Sequence, residues 1–177
     1  KARRLMVENG IDALYLEPGS SLFYFTGIQW GNSERMFAMV LPAQGEPAYV
    51  CPQFEEERAR ELIRFGDDVR AWEEEEDPGI LVAQVLADRG IRTGTVGMEE
   101  RVRFFLFDAV RKHAPQLAYV LGTPVTAGCR MYKSEAELAP MQRATDITID
   151  ANKAVVPLDH ERKTKREHRE VACLAHR

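Results

Sequence analysis

The first half of the chain alternates short apolar runs with turn residues, and this pattern predicts one helix followed by four strands. Residues 1–9 form an amphipathic segment that Gly10 ends, as expected of a short helix. Apolar runs rich in β-branched or aromatic residues follow at 11–16, 22–26, 36–41 and 48–51. Their close spacing and tight turns predict an antiparallel start to a β-sheet.

The period then changes to helices that alternate with strands. Apolar residues at helical spacing predict helices, and short apolar runs predict strands, in the order helix 54–63, strand 69–72, helix 78–86, strand 95–98, helix 102–110 and strand 117–121. Asp77 is placed to cap the second of these helices, and Pro78 suits its first position. Such alternation implies at least one parallel strand pairing with a right-handed crossover. The sequence therefore predicts an α/β fold, a mixed β-sheet with helices on both faces.

A different region follows near residue 130. Residues 129–134 are interpreted as a connector, and Ser134 with Glu137 has the signature of a capping box at the start of a long helix. Pro140 lies inside this helix, where proline removes a backbone donor and costs about 3 kcal/mol. We therefore expect a kink or a late helix start there.

Composition and charge argue against several classes of function. The chain has 177 residues, of which 45% are hydrophobic, and its net charge is −4. Phosphate binding needs a clustered basic surface, so this balance disfavours nucleic acid as a partner. No apolar run approaches the roughly 20 residues that span a bilayer, and the charged first residues lack the apolar stretch of a signal peptide. Three widely spaced cysteines are not a disulfide framework, and we expect a reducing cytoplasm.

Candidate metal ligands concentrate near the end of the sequence. His160, His168 and His176 lie in a strongly charged tail together with Cys173. Cys173 and His176 are one helical turn apart and could share a metal, but a structural zinc site needs four converging ligands. The acidic run 73–77 is better explained as a helix N-terminus, where carboxylates suit the helix dipole. We therefore predict no metal site in this chain.

Catalytic motifs are also missing from the sequence. It contains no Gly-x-Ser-x-Gly elbow, no Gly-x-Gly-x-x-Gly fingerprint and no Walker loop. Cys51 ends an apolar strand and is predicted to be an inert buried thiol. We predict no catalytic residue. Trp30 and Arg35, which flank a polar loop after the second predicted strand, can hold a small ligand or a partner subunit, or they can simply cover the sheet.

Several phrases, taken in order, resemble a known family. They are NGIDALYL at 9–16, LFYFTG at 22–27, ER at 34–35 before FAMVLP at 37–42, GEPAYV at 45–50, VGME at 96–99 and RMYKSEAEL at 130–138. Together they resemble the N-terminal domain of the creatinase/prolidase/aminopeptidase P family, over residues 1 to about 155. The last phrase is similar to the family's junction between its two domains.

This resemblance implies a division of the chain and of the chemistry. Residues 1–130 would be the N-terminal domain, and residues 131–177 the connector and the start of a truncated catalytic domain. In the family the second, pita-bread domain holds two divalent metal ions (Mn, Co or Zn) and hydrolyses the bond before proline with a metal-activated water. The residues that would supply those ligands lie beyond this chain, so no ligand is transferred to it.

The resemblance also implies a role for the polar loop. N-terminal domains of the family help to form the dimer and reach over the partner's active site. Arg35 matches an arginine that some relatives place near the substrate, and Trp30 lies in the same loop. The implied function is the non-catalytic dimerisation and substrate-access domain of a cytoplasmic, homodimeric Xaa-Pro dipeptidase that acts on proline-containing peptides.

Two other interpretations stay open. One is a non-enzymatic protein-interaction module, for which the Trp30 loop and an exposed edge strand would be the contact surface. The other is the N-terminal domain of a creatinase-type hydrolase that acts on a small guanidino compound. A catalytic parent needs all five metal ligands in its downstream sequence, and turnover of a dipeptide or of creatine would separate the two chemistries.

Overall fold

A computed structural model describes residues 1–159 of the chain, with side chains through residue 154. The chain forms two compact units, one over Lys1–Met131 and one that begins at Tyr132. The predictions for Cys173 and for His160, His168 and His176 lie outside the described residues. Within the described residues, none of the helices has both the length and the apolar character needed to cross a bilayer.

Strands and helices alternate through most of the first unit. In chain order the elements are α1 (Ala2–Glu8), β1 (Ala13–Leu16), α2 (Ser20–Thr26), β2 (Ala38–Pro42), β3 (Ala48–Pro52), a 3-10 turn (Gln53–Glu55), α3 (Glu56–Leu62), β4 (Asp68–Trp72), α4 (Pro78–Asp88), β5 (Gly94–Met98), α5 (Phe104–His113), β6 (Leu117–Leu121) and α6 (Thr123–Met131). The second unit contains α7 (Glu135–Asp159).

The six strands form one mixed sheet in the order β4-β3-β2-β1-β5-β6. The β1–β2 and β2–β3 pairs are antiparallel. The β3–β4, β1–β5 and β5–β6 pairs are parallel. The predicted mixed sheet, with an antiparallel start and parallel pairing in its second half, is confirmed.

Helices cover both faces of the sheet, as predicted. Successive strand residues point to opposite faces, and β1 is buried at every position. Tyr15 belongs to a core that includes Val85 of α4 and Val110 of α5. Leu14 and Leu16 belong to a second core, whose helical members are Met6, Leu22, Ala59 and Val125. Burial on both faces explains why β1 is a continuous apolar run rather than an alternating one.

Residues 22–26 are helical, and the predicted strand there is wrong. They lie in α2, Ser20–Thr26. A strand would bury every second side chain, yet Tyr24 is 38% exposed while Leu22 and Thr26 are buried. This i, i+4 spacing is that of a helix lying on the sheet. The aromatic residues of this run misled the prediction, because aromatics favour strands only where they cover a pleated surface.

The predicted connector at 129–134 is partly wrong, because α6 continues through Met131. Its buried residues Val125, Thr126 and Cys129 have helical spacing. Gly128 sits in this helix where a Cβ would lie 3.0 Å from Leu5 Cδ1 of α1. Tertiary packing against α1 therefore supports a helix whose proline, threonines and glycine have low helix propensity.

The helix start that the capping-box signature predicts is confirmed, with one half of the box in place. The Ser134 hydroxyl donates to Glu137 Oε2 at 2.7 Å, and the Glu137 N–H donates to the Ser134 carbonyl oxygen at 3.1 Å. The backbone N–H of Ser134 donates to Glu137 Oε2 at 2.8 Å, and α7 begins at Glu135. The helix therefore starts before Pro140, and the alternative of a late start is wrong. One missing N–H at Pro140 costs a single intrahelical hydrogen bond, which this long helix tolerates. The kink stays a prediction.

Cys51 is fully buried in β3, and burial raises the pKa of its thiol to about 12. The thiolate is the reactive form, so we expect Cys51 to resist iodoacetamide at pH 8.5 in the folded chain and to react in urea. Between an unfolded pKa of about 8.5 and the folded value, only the unfolded chain releases this proton, so the free energy of unfolding decreases as pH rises. Peptide mapping by mass spectrometry measures the alkylation of Cys51 separately from that of the other cysteines. Equal alkylation rates in the folded and unfolded chain would contradict this expectation.

Candidate functional site

The candidate residues lie on one loop between α2 and β2, here called the Trp30 loop and defined as residues 27–37. Gly27 opens it in the left-handed conformation at φ 75°. Ile28 is buried, and its N–H donates to the Thr26 hydroxyl at 3.1 Å. Phe37 is buried at the other end. Both ends are therefore anchored in the core while residues 31–34 are exposed.

Trp30 is held between the core and a cation. Its ring stacks on Phe37, with centroids 4.1 Å apart and planes at 17°. The Arg58 guanidinium of α3 lies 4.5 Å from the Trp30 ring centroid. Such a contact contributes about 0.5–1 kcal/mol at an exposed site. A half-buried indole fixed in this way offers the remainder of its ring to a ligand or a partner.

Arg35 lies on the same loop and forms exposed ion pairs. Its Nε is 2.6 Å from Glu74 Oε1, and its Nη1 is 2.5 Å from Glu34 Oε1. The guanidinium also lies 5.2 Å from the Phe54 ring centroid. The hydrogen bond to Glu74 raises the pKa of Arg35, so this side chain stays charged. Exposed ion pairs contribute little net stability. A ligand carboxylate can therefore replace Glu74 as the partner of Arg35 with a small loss of free energy.

A shallow cavity of about 420 Å³ opens beside the loop. Its lining residues come from the start of α2 and from the loop, namely Gly19, Ser20, Phe23, Ile28, Gln29, Trp30 and Gly31. A cavity of this size falls in the range that binds small ligands. Trp30 therefore lines a cavity, whereas Arg35 is not part of that lining.

An ion pair between Glu17 and Arg103 contacts the middle of the loop at Ser33. Glu17, which follows β1, is 3% exposed and accepts from Arg103 Nε at 2.8 Å and from the Arg103 backbone N–H at 3.3 Å. Arg103 Nη1 donates to the carbonyl oxygen of Ser33. Burial raises the pKa of Glu17, while its hydrogen bonds to Arg103 act in the opposite direction. Nη2 of Arg103 is buried with no hydrogen-bond partner among the described residues.

The acidic run 73–77 caps α4 through Asp77 and pairs with the Trp30 loop through Glu74. Asp77 accepts from the Gly79 N–H at 2.9 Å and caps α4, as predicted. His113 Nε2 lies 2.8 Å from Asp77 Oδ2. Within the described part of the chain, no group of three or more His, Cys, Asp and Glu side chains could hold a metal ion. We therefore assign no metal ligand to these residues.

The sequence did not predict the partners of Trp30 and Arg35. Glu74 is 39 residues from Arg35 in the chain, and Arg58 comes from a helix that was assigned no functional role. Arg103 and Glu17 are 86 residues apart. No local period links residues at such separations. The one available signal was the acidic run around Glu74, which local rules explained as a helix start.

Comparisons with known proteins place the fold and the family. Residues 1–132 match the family model described as the Creatinase/Prolidase N-terminal domain. A probable dipeptidase, PepE, of Mycobacterium tuberculosis is 33% identical, over 88% of this chain and 42% of its own length. An Xaa-Pro dipeptidase of Lactobacillus delbrueckii subsp. lactis is 25% identical, over 81% of this chain and 39% of its own length.

Solved structures have the same fold. A recombinant prolidase from Thermococcus sibiricus superposes with a TM-score of 0.81 at 20% identity, covering 98% of this chain and 47% of the prolidase chain. In sequence, the chain spans about two fifths of the length of PepE and of the Lactobacillus Xaa-Pro dipeptidase.

Proposed function

Because the chain belongs to the creatinase/prolidase N-terminal domain family, we propose that it is the dimerisation and substrate-access domain of a proline-specific metallopeptidase. The proposed parent is a cytoplasmic, homodimeric Xaa-Pro dipeptidase. Its catalytic domain hydrolyses the bond before proline, and this domain supplies a loop to the partner subunit's active site. Proline-containing peptides are the proposed substrates.

The observation that carries the proposal is the geometry of the Trp30 loop. A substrate-access loop needs a stable base and groups that recognise a short peptide. The loop is buried at Ile28 and Phe37, and it presents Trp30 and Arg35 between them. A guanidinium binds a carboxylate through two parallel hydrogen bonds. Arg35 is therefore suited to the C-terminal carboxylate of a dipeptide, with Trp30 available to contact an apolar side chain or the proline ring.

Metal chemistry in this proposal belongs to the second domain. Divalent ions such as Mn²⁺, Co²⁺ or Zn²⁺ would lower the pKa of a bound water and supply hydroxide at neutral pH. The role of this chain's own residues is to bind and orient, which lowers the entropic cost of reaching the reactive geometry.

The 177-residue chain alone is expected not to release proline. The test incubates the purified chain with alanyl-proline and Mn²⁺ and measures free proline, with an intact Xaa-Pro dipeptidase as the positive control. Turnover by this chain would show that the chemistry has been assigned to the wrong part of the protein.

A chimera tests the role of the loop. Residues 1–131 replace the matching domain of the Lactobacillus Xaa-Pro dipeptidase, and KM and kcat are measured on alanyl-proline. We expect Arg35→Ala and Trp30→Ala to raise KM about tenfold, equivalent to loss of about 1.4 kcal/mol of binding. Phe65→Ala is the matched control, because its side chain is 60% exposed and lies outside the loop. Unchanged KM in both loop variants would contradict substrate access.

The interaction-module alternative predicts a different result. In that case the parent's downstream sequence lacks some of the five metal ligands, and the loop variants leave the KM of the chimera unchanged. A creatinase-type parent would turn over creatine instead of a dipeptide when its whole natural sequence is expressed.

A further inference from the structure

The end of the Trp30 loop is fixed in the core, where Trp72 Nε1 donates to the Met36 carbonyl oxygen at 3.1 Å. Three further contacts tether the loop, and they differ in strength. Arg35 and Glu74 form one, but their side chains are 35% and 56% exposed, so the pair contributes about 0–1 kcal/mol. The second is the contact of Trp30 with Phe37 and Arg58 near the loop's ends.

The third tether is the only one of these that joins the exposed middle of the loop to a buried charge. Arg103 contacts Ser33 through one nitrogen while a second nitrogen is fixed by Glu17. Glu17 is 3% exposed, and its backbone position is set by the end of β1. Arg103 itself is the N-cap residue of α5, so each partner lies next to a regular element, Glu17 after β1 and Arg103 before α5.

We infer that Arg103 and Glu17 form a latch that positions the Trp30 loop, and that both are positioning residues for the contacts of Trp30 and Arg35. The effect on substrate binding rests on the proposed function, whereas the effect on loop position does not. Truncation of Arg103 removes the hydrogen bond to Ser33 and leaves the Glu17 carboxylate without its counter-ion. A charge left buried in that way is strongly unfavourable, so loss of Arg103 perturbs both the segment after β1 and the middle of the loop.

A second arginine on the same molecule provides a matched control. Arg130 of α6 pairs with Glu100 at 3.3 Å and donates to the Ser20 hydroxyl at 3.1 Å. Its side chain is 32% exposed, close to the 26% of Arg103. Among the contacts of the described residues, none joins Arg130 to residues 27–37. Arg130→Met therefore removes a comparable guanidinium without removing a tether of the loop.

Fluorine NMR of the 177-residue chain labelled with 5-fluorotryptophan tests the latch. The chain has two tryptophans, Trp30 and Trp72, and Trp30→Phe assigns their resonances. We expect Arg103→Met to shift or broaden the Trp30 resonance more than the resonance of Trp72, whose indole N–H donates to the Met36 carbonyl oxygen at the core end of the loop. Arg130→Met is expected to leave the Trp30 resonance in place. A Trp30 resonance that is unchanged in Arg103→Met overturns the latch.

Two further variants keep the test decisive if Arg103→Met does not fold. Glu17→Gln retains an acceptor for Arg103 but removes the charge, and Arg103→Lys retains the charge but loses the two-pronged contact. Each is expected to move the Trp30 resonance in the same direction by a smaller amount. Folded variants that leave it unmoved count against the latch.

The chimera separates this inference from the proposed function. If both hold, Arg103→Met raises KM for alanyl-proline and leaves kcat close to that of the unsubstituted chimera, whereas Arg130→Met changes neither. A moved Trp30 resonance with an unchanged KM supports the latch and contradicts substrate access.

Discussion

Replacing Phe37 with alanine is expected to lower the free energy of unfolding by about 3–5 kcal/mol, the range for truncating a buried aromatic side chain. Phe37 is 1% exposed and belongs to the core that lies between the sheet and α2. The same ring is the surface on which Trp30 stacks. The substitution therefore opens a cavity in the core and removes the base of the Trp30 loop at once.

Urea denaturation followed by circular dichroism measures this loss. Phe37→Leu fills much of the space and is expected to lose less than half as much. Phe65→Ala, which truncates a ring that is 60% exposed, is expected to change stability by less than about 0.5 kcal/mol. If Phe37→Ala proves as stable as Phe65→Ala, the described packing of the loop on the core is incorrect.

Replacing Gly79 with alanine is expected to destabilise the domain by about 3 kcal/mol, at the upper end for overpacking. Gly79 is the second residue of α4, and a Cβ there would lie 2.6 Å from both the carbonyl carbon and oxygen of Ala109 in α5. Backbone atoms of a packed helix cannot rotate aside as a flexible side chain can. The two helices would have to separate, which would open the core around Val85 and Val110.

Helix propensity alone predicts the opposite sign for this substitution. Alanine in a helix is favoured over glycine by about 1 kcal/mol, so a gain in stability would show that α4 and α5 do not approach as closely as described. Gly31→Ala is the control, because an added Cβ there meets nothing within 4 Å. Its expected effect is a change of less than about 1 kcal/mol.

The sequence predicted two residues of the candidate site but not their partners. Trp30 and Arg35 stood out because an aromatic and a cation flanked a polar loop, and the family resemblance added a role for Arg35. Their partners outside the loop come from the 3-10 turn, α3 and the residues before α4, and the start of α5 contacts the loop at Ser33. Each of these contacts depends on which strands are neighbours in the sheet, and a local window contains no information about that order.

Local pattern determined most of the elements of this protein. The period of apolar residues, together with the Asp77-Pro78 start and the Ser134–Glu137 capping box, correctly predicted the six strands of the sheet and most of its helices. These features depend on hydrogen bonds and burial within a few residues of each other, so a short window contains the physics that forms them.

Tertiary structure alone decided the conformation of 22–26, the extent of α6 and the connection of Arg103 to the Trp30 loop. Residues 22–26 have strand-like composition, but they lie on a sheet face that a helix must cover, and burial of Leu22 with Thr26 outweighs the weaker local preference. The latch joins residues that are 70 and 86 positions apart. Contacts of that kind form only after the chain has folded back on itself, because their energy depends on mutual burial rather than on neighbours in sequence.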